Sequence, residues 1–305
     1  MNRRAPLTAL LAAALLLAGL DASAQALYAT SIRVFAAGGQ DKVVGSLYSV
    51  NLSDASARLV APLRMKSETA VGITGLAVHP TSGVFYGITS ALSPVNPRSL
   101  VTLDVNTGDT DLVGPLGAAG SDIAFDAAGK LYVWLPGTSQ LGVVDLRSAT
   151  VSPLGSPGPA GNGGGIAIDD KGVAYVTPTG ASGTLDRVDT RTGAITRGPQ
   201  LTGAPFPTGI TAMTFTPSGL LLAVNTNGGS PASVRLVTIN TGSGQVATIG
   251  SLPDDTDALA FAASGSHDIR SALSTMSGRT LALLSLVLGL ALAVGAMVLV
   301  KSLRS

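Results

Sequence analysis

"FDAAGKLYVW", residues 125–134, is an apolar run, a glycine turn and a second apolar run. Near-copies recur as "VHPTSGVFYG" (78–87), "IDDKGVAYVT" (168–177) and "FTPSGLLLAV" (215–224). Each copy starts on a large-small-large triplet: "LAV" (76–78), "IAF" (123–125), "IAI" (166–168) and "MTF" (213–215), with a fifth, "LAF", at 259–261. From Leu76 through Ile123, Ile166 and Met213 to Leu259 the spacings are 47, 43, 47 and 46 residues. Alternate residues of a strand face opposite sides. The bulky residues would therefore fill one gap between neighbouring sheets, while Ala77, Ala124, Ala167, Thr214 and Ala260 let the next sheet approach.

A period of about 40–50 residues suits a blade of four strands. Glycines at 83, 129, 172 and 219 supply the positive φ of a tight hairpin after each first strand. Second strands follow as "VFYGIT", "KLYVWL", "VAYVTP" and "LLLAVN", and third strands as "SLVTLDVNTG", "QLGVVDLRSA", "TLDRVDTRTG" and "VRLVTINTG". Short fourth strands such as "TDLVGPLG" and "QVATIGSLP" carry proline, which an outermost strand tolerates. The fifth copy stops after its first strand, and its missing strands match "ALYATS" (26–31) and "SLYSVNLSDASARLV" (46–60). The fold expected is all-β: a β-propeller of five four-stranded blades over residues 26–263, closed by pairing of N- and C-terminal strands. A two-sheet sandwich is the alternative, but its strands need not repeat at a fixed period.

The stretch "AYVTPTG" (174–180), followed by "LDRVDTRTGAI" (185–195), resembles the YVTN and NHL-type repeats of exported bacterial propellers, with Pro178 where the YVTN pattern has Asn. That resemblance covers residues 26–263 and implies a fold more than a function.

Composition narrows the function. The chain has 305 residues, of which 12% are charged and 46% hydrophobic, with 38 glycines and 17 prolines that go with many turns. A net charge of +1, without a concentrated basic face, argues against nucleic acid as a partner. Cysteine is absent, so no disulfide, thiolate metal site or cysteine nucleophile is available.

The two ends suggest a location. Residues 1–24 run from Arg3 and Arg4 through an apolar stretch to "ASA" at 22–24, the order of parts in a secretory signal peptide; an uncleaved anchor is the alternative. Residues 280–300, "TLALLSLVLGLALAVGAMVLV", carry no charge and are long enough for a transmembrane helix, since about 20 residues cross the hydrocarbon core. Lys301 and Arg304 in the tail, 301–305, place that end in the cytoplasm by the positive-inside rule. Residues 264–279 are Ser-rich and read as a spacer. The propeller is thereby expected outside the inner membrane, tethered in the periplasm or at the cell surface. Within "LSTMSGRT" (273–280), Thr275, Met276 and Ser277 stand as in the IPTL-type signature of exosortase sorting tails, with Ser274 for its proline and Arg279 for its tryptophan. That resemblance implies a sorting protease as a partner.

Ligands of propellers meet the face carrying the loops into each first strand and between second and third strands. Those loops place Asp122, Asp257 and Glu68, the chain's one glutamate, around the axis as candidates for general acid and base or for Ca²⁺ ligands. Arg64, Arg98, Asp254 and Asp255 are candidates for ligand binding on the same loops. The alternative reading of the aspartates is that they hydrogen-bond turn N–H groups. His79 and His267 are the two histidines and form no cluster, so no metal site is assigned and no cofactor is implied. "GNGGG" (161–165) lacks the lysine and helix of a phosphate loop and reads as a loop between blades. Asp104, Asp145 and Asp189 recur at the ends of third strands and read as turn residues. Tyr28, Tyr86, Tyr132 and Tyr175 read as blade packing, and Trp134 as core. The function expected is a non-enzymatic binding module for an envelope protein or glycan; the alternative is an envelope hydrolase or lactonase-like enzyme using axial carboxylates.

Overall fold

The computed structural model describes residues 26–32, 45–65, 69–161, 163–178, 183–207 and 209–262. The signal-peptide, spacer, membrane-helix, tail and sorting-motif assignments, Glu68 and His267 lie outside these residues. The described residues form five antiparallel blades and no helix. Blade 2 runs from the axis outward as Ile73–Val78, Phe85–Thr89, Ser99–Leu103 and Asp109–Pro115. Blade 3 has Ile123–Phe125, Leu131–Leu135, Gln140–Val144 and Val151–Leu154; blade 4 has Ile166–Ile168, Ala174–Val176, Asp186–Val188 and Ile195–Thr196. Blade 5 has Gly209–Phe215, Leu221–Thr226, Val234–Ile239 and Val246–Leu252.

Blade 1 is built from both ends of the described chain. Its inner strand, Thr256–Phe261, pairs with Leu27–Ser31, and Ser46–Val50 and Ala57–Pro62 follow outward. Tyr28 lies opposite Ala260 and Ala29 opposite Leu259. The main-chain N–H of Ala262 donates to the carbonyl of Ala26 at 2.9 Å, extending the seal to the last described residue.

The core consists of five apolar clusters, one per gap between blades. In the gap between blades 2 and 3, Ala77 and Tyr86 meet Ile123 and Phe125; between blades 4 and 5, Ala167 and Tyr175 meet Met213 and Phe215. The strand register explains the triplet. Each small residue stands directly opposite the ring of the second strand: Ala77 by Tyr86, Ala124 by Tyr132, Ala167 by Tyr175 and Ala260 by Tyr28, with Thr214 by Leu222 in blade 5. A larger residue there would displace the ring that packs on the next blade. Three of these tyrosines meet a phenylalanine of that blade edge-on, with centroids 5.4 to 5.6 Å apart, a favoured aromatic geometry.

The turns between third and fourth strands join the blades at the rim. Asn51, Asp104, Asp145, Asp189 and Asn240 each accept the N–H two residues on, at 2.7 to 3.0 Å, as turn-capping side chains do. At blades 1 and 3 the left-handed residue of this turn is Ala55 (φ 61°) or Ala149 (φ 60°). Where the tip carries this extra methyl, the outer strand of the preceding blade supplies a glycine. A Cβ on Gly250 would lie 3.0 Å from the Ala55 methyl, and one on Gly114 would lie 3.3 Å from that of Ala149.

One part of the four-strand expectation is corrected. Residues 62–73, read as a plain loop, add Arg64–Met65 and Thr69–Ala70 to the outer edge of blade 2, where Arg64 pairs in parallel with Asp109. Leu63 and Met65, two residues apart, are both buried, an alternation short enough to pass for loop composition.

Candidate functional site at the ring axis

Two residues ahead of each triplet's first residue stand Thr74, Ser121, Gly164, Thr211 and Asp257. In blades 2, 5 and 1 the strand register skips Thr74, Thr211 and Asp257. A β-bulge of this kind leaves one residue out of the ladder and re-aims its side chain. The Thr74 hydroxyl donates to Asp257 Oδ2 at 2.5 Å, and Ser121 Oγ donates to the Gly164 carbonyl at 2.7 Å. Burial pushes the Asp257 carboxyl up from 3.8 to about 6, while the hydrogen bond from Thr74 pulls it down. The Thr211 hydroxyl lowers it further without reaching hydrogen-bond geometry, and Asp255 raises it.

The next positions along the strands are Gly75, Asp122, Gly165, Ala212 and Ala258, four small residues and one carboxylate. Asp122 is fully buried. Its Oδ1 accepts the N–H of Ile123 at 2.9 Å, and its Oδ2 accepts those of Ile166 and Met213, each at 3.0 Å. One side chain thus ties blades 3, 4 and 5 together. Burial holds its carboxyl well above the usual range; the three N–H bonds oppose that, and Asp257 adds to it.

At the far end of the first strands the axis turns apolar. Val78, Phe125, Ile168, Phe215 and Phe261, all half-buried, end the five triplets and line a cavity of about 170 Å³. This end carries the hairpins between first and second strands. His79 belongs to it: its Nδ1 accepts the N–H of Ser82 at 3.2 Å, as Asp126 Oδ1 accepts that of Ala128 in blade 3. It is a turn cap stacked edge-on to Phe125.

Of the residues singled out in the sequence, the axis gathers Asp122 and Asp257. Arg64 is exposed on the added strand at the edge of blade 2. Arg98 is exposed in the loop between the second and third strands of blade 2, in a left-handed conformation (φ 54°). Asp254 is exposed, whereas Asp255 is buried and its Oδ1 accepts the Ala232 N–H at 2.9 Å, fastening a loop of blade 5. Among the described residues no group of three His, Asp or Glu side chains is placed to hold a metal ion. The bulged threonines were missed by the repeat reading. The recurring polar residue at 74, 121, 211 and 257 is the signal that could have found them.

The raised Asp257 carboxyl has a measurable result. A group whose folded value lies above its unfolded one keeps a proton that the unfolded chain has released, so stability is full below pH ~4 and is lost as pH rises through about 6. Asp257 is half-buried, and screening by water reduces this loss from ~3 to about 2 kcal/mol. Urea unfolding at pH 4 and pH 7 should show wild type losing about that much more stability than Asp257→Asn. Equal losses would remove Asp257 from the account.

This geometry defines the chain as a five-bladed β-propeller in which one buried carboxylate ties three blades together. Among solved structures, a chain of the crystal structure of a nidogen/laminin complex matches at 12% identity with a TM-score of 0.50, covering 79% of this chain and 99% of that one. A protein of unknown function from Bacteroides caccae matches at 12% identity with a TM-score of 0.48, covering 78% and 99%. At such identity the likeness concerns the fold. No protein-family model matches the sequence, and no curated protein does.

Proposed function

We propose that this chain is an exported propeller of the YVTN/NHL repeat kind, held at a bacterial membrane by its C-terminal segment, that binds an envelope protein or glycan through its loop face. The observation that carries the binding role is where the blades differ. The turns after the first strands of blades 2 to 5, and after the third strands of all five blades, span five or six residues. On the opposite face the described links from second to third strands range from four residues in blade 3 to nine in blade 2. Varied loops on a repeated frame are the usual seat of recognition.

The frame beneath those loops is firm. Asn225, fully buried at the end of a second strand, accepts the Phe206 N–H at 2.9 Å and donates to the carbonyls of Phe206 and Gly209. At the same register in blade 2, Thr89 accepts the N–H of Ser99, which opens the third strand, at 2.9 Å, and one position earlier in blade 4 Thr177 accepts that of Gly165 at 3.0 Å. The membrane tether rests on the sequence of residues 280–300, and the export on residues 1–24.

A photo-crosslinking residue placed at Arg98 or Asp254 in the native host should yield discrete adducts. The same residue at Lys130 or Lys171, exposed on the hairpin face, should yield none. Adducts confined to the hairpin positions would overturn the assignment of the binding face.

A further inference from the structure

We propose that the ring axis is an anion-binding nest of main-chain N–H groups, suited to a small carboxylate, and that Asp122 is its built-in occupant. The three donors belong to Ile123, Ile166 and Met213, the first residues of three different triplets. They converge on one carboxylate because three first strands present the same N–H to the axis at the same level. The nest is therefore a product of the five-fold frame, and the side chain that fills it is supplied by one blade alone.

Steric room explains why one blade suffices. A Cβ on Gly75 would lie 3.0 Å from the Asp122 Cα, and one on Gly165 would lie 2.7 Å from Met213 Cγ and 2.9 Å from its main-chain nitrogen. Blades 2 and 4 thus have no space for a side chain at this level, and blades 5 and 1 carry only the methyl groups of Ala212 and Ala258. The three N–H bonds favour the charged form of Asp122, but burial outweighs them and holds its carboxyl well above the usual range, so the nest rests on the geometry of the three donors. Asp257 is the other titratable group that acts on Asp122. With Asp122 in place all three N–H groups are taken, and the nest accepts nothing from outside.

The test is occupancy by a substitute. Asp122→Gly gives blade 3 the residue that blades 2 and 4 carry and leaves the three N–H groups facing an empty nest. In the full-length chain this variant should unfold at a lower temperature than wild type. Sodium formate should restore part of the loss in a saturable manner, as a ligand that binds only the folded state does. Sodium benzoate at equal ionic strength should not, because its ring does not fit. Formate that shifts wild type and variant equally, or shifts neither, would overturn the proposal. If the variant fails to fold in buffer, its refolding yield in formate against chloride gives the same readout. In wild type, the amide protons of Ile123, Ile166 and Met213 should be among the slowest to exchange and should shift together in a pH titration. Fast exchange and independent shifts at the three would equally overturn the proposal.

Discussion

A chain ending at residue 253 will lose cooperative unfolding, whereas one ending at residue 263 will keep it. The ten residues between them contain the strand Thr256–Phe261, the inner edge of blade 1. Without it Leu27–Ser31 loses the partner along one whole edge, and the gaps to blades 5 and 2 open together. Leu259 packs toward blade 5, while Ala258 and Ala260 pack toward blade 2. Removing the buried Leu259 side chain alone costs about 2–5 kcal/mol, which is a large part of the ~5–15 kcal/mol that holds a typical domain together. Thermal melts followed by far-ultraviolet circular dichroism would show the contrast. A sigmoidal transition at the same temperature in both chains would mean that the seal between the two ends is dispensable.

Replacing Trp134 separates volume from polarity. Its side chain is fully buried between blades 3 and 4, beside Ile166, Val176 and Leu141. Trp134→Ala should destabilise by about 3–5 kcal/mol, the usual cost of emptying such a site. Trp134→Phe should cost much less than its lost volume suggests, about 1.5 kcal/mol or below, because the indole N–H has no hydrogen-bond partner among the described residues. Burying a donor without a partner carries a desolvation penalty that phenylalanine avoids. Urea unfolding measured by circular dichroism is the suitable readout, since Trp134 is the one tryptophan and its variants lose that fluorescence. If Trp134→Phe costs as much as Trp134→Ala, the indole N–H is satisfied and the site is a polar one.

The blades and their closure could be read in the sequence because both depend on local patterns. A triplet such as "IAF" reports two faces of one strand, and the glycine that follows reports the sign of φ at one residue. The pairing of Tyr28 with the neighbourhood of Leu259 was likewise legible, as a repeat that lacks strands at one end and has spares at the other. What stayed hidden arises between residues far apart in sequence. In the sequence Asp122 stands equally as a candidate acid, a Ca²⁺ ligand or an acceptor of turn N–H groups, because nothing local shows that three N–H groups from three blades converge on it. The exchange of alanine for glycine between Ala55 and Gly250 is invisible until two blades are placed side by side. Asp254 and Asp255 are neighbours with opposite surroundings, one exposed and one fastening Ala232, and composition cannot tell them apart. Residues 64–65 and 69–70 fall into the sheet of blade 2 through a parallel pairing with Asp109–Pro115, a partner more than forty residues away.

Blade 1 also sets an order of events in biosynthesis. Its outer three strands are made first, yet their inner companion emerges about two hundred residues later, after every other blade. Contacts between such distant segments form slowly because a long loop must first be closed. Until that strand is made, Leu27–Ser31 has a bare main-chain edge that only Thr256–Phe261 covers. Any helper protein that escorts the newborn chain has that edge to shield.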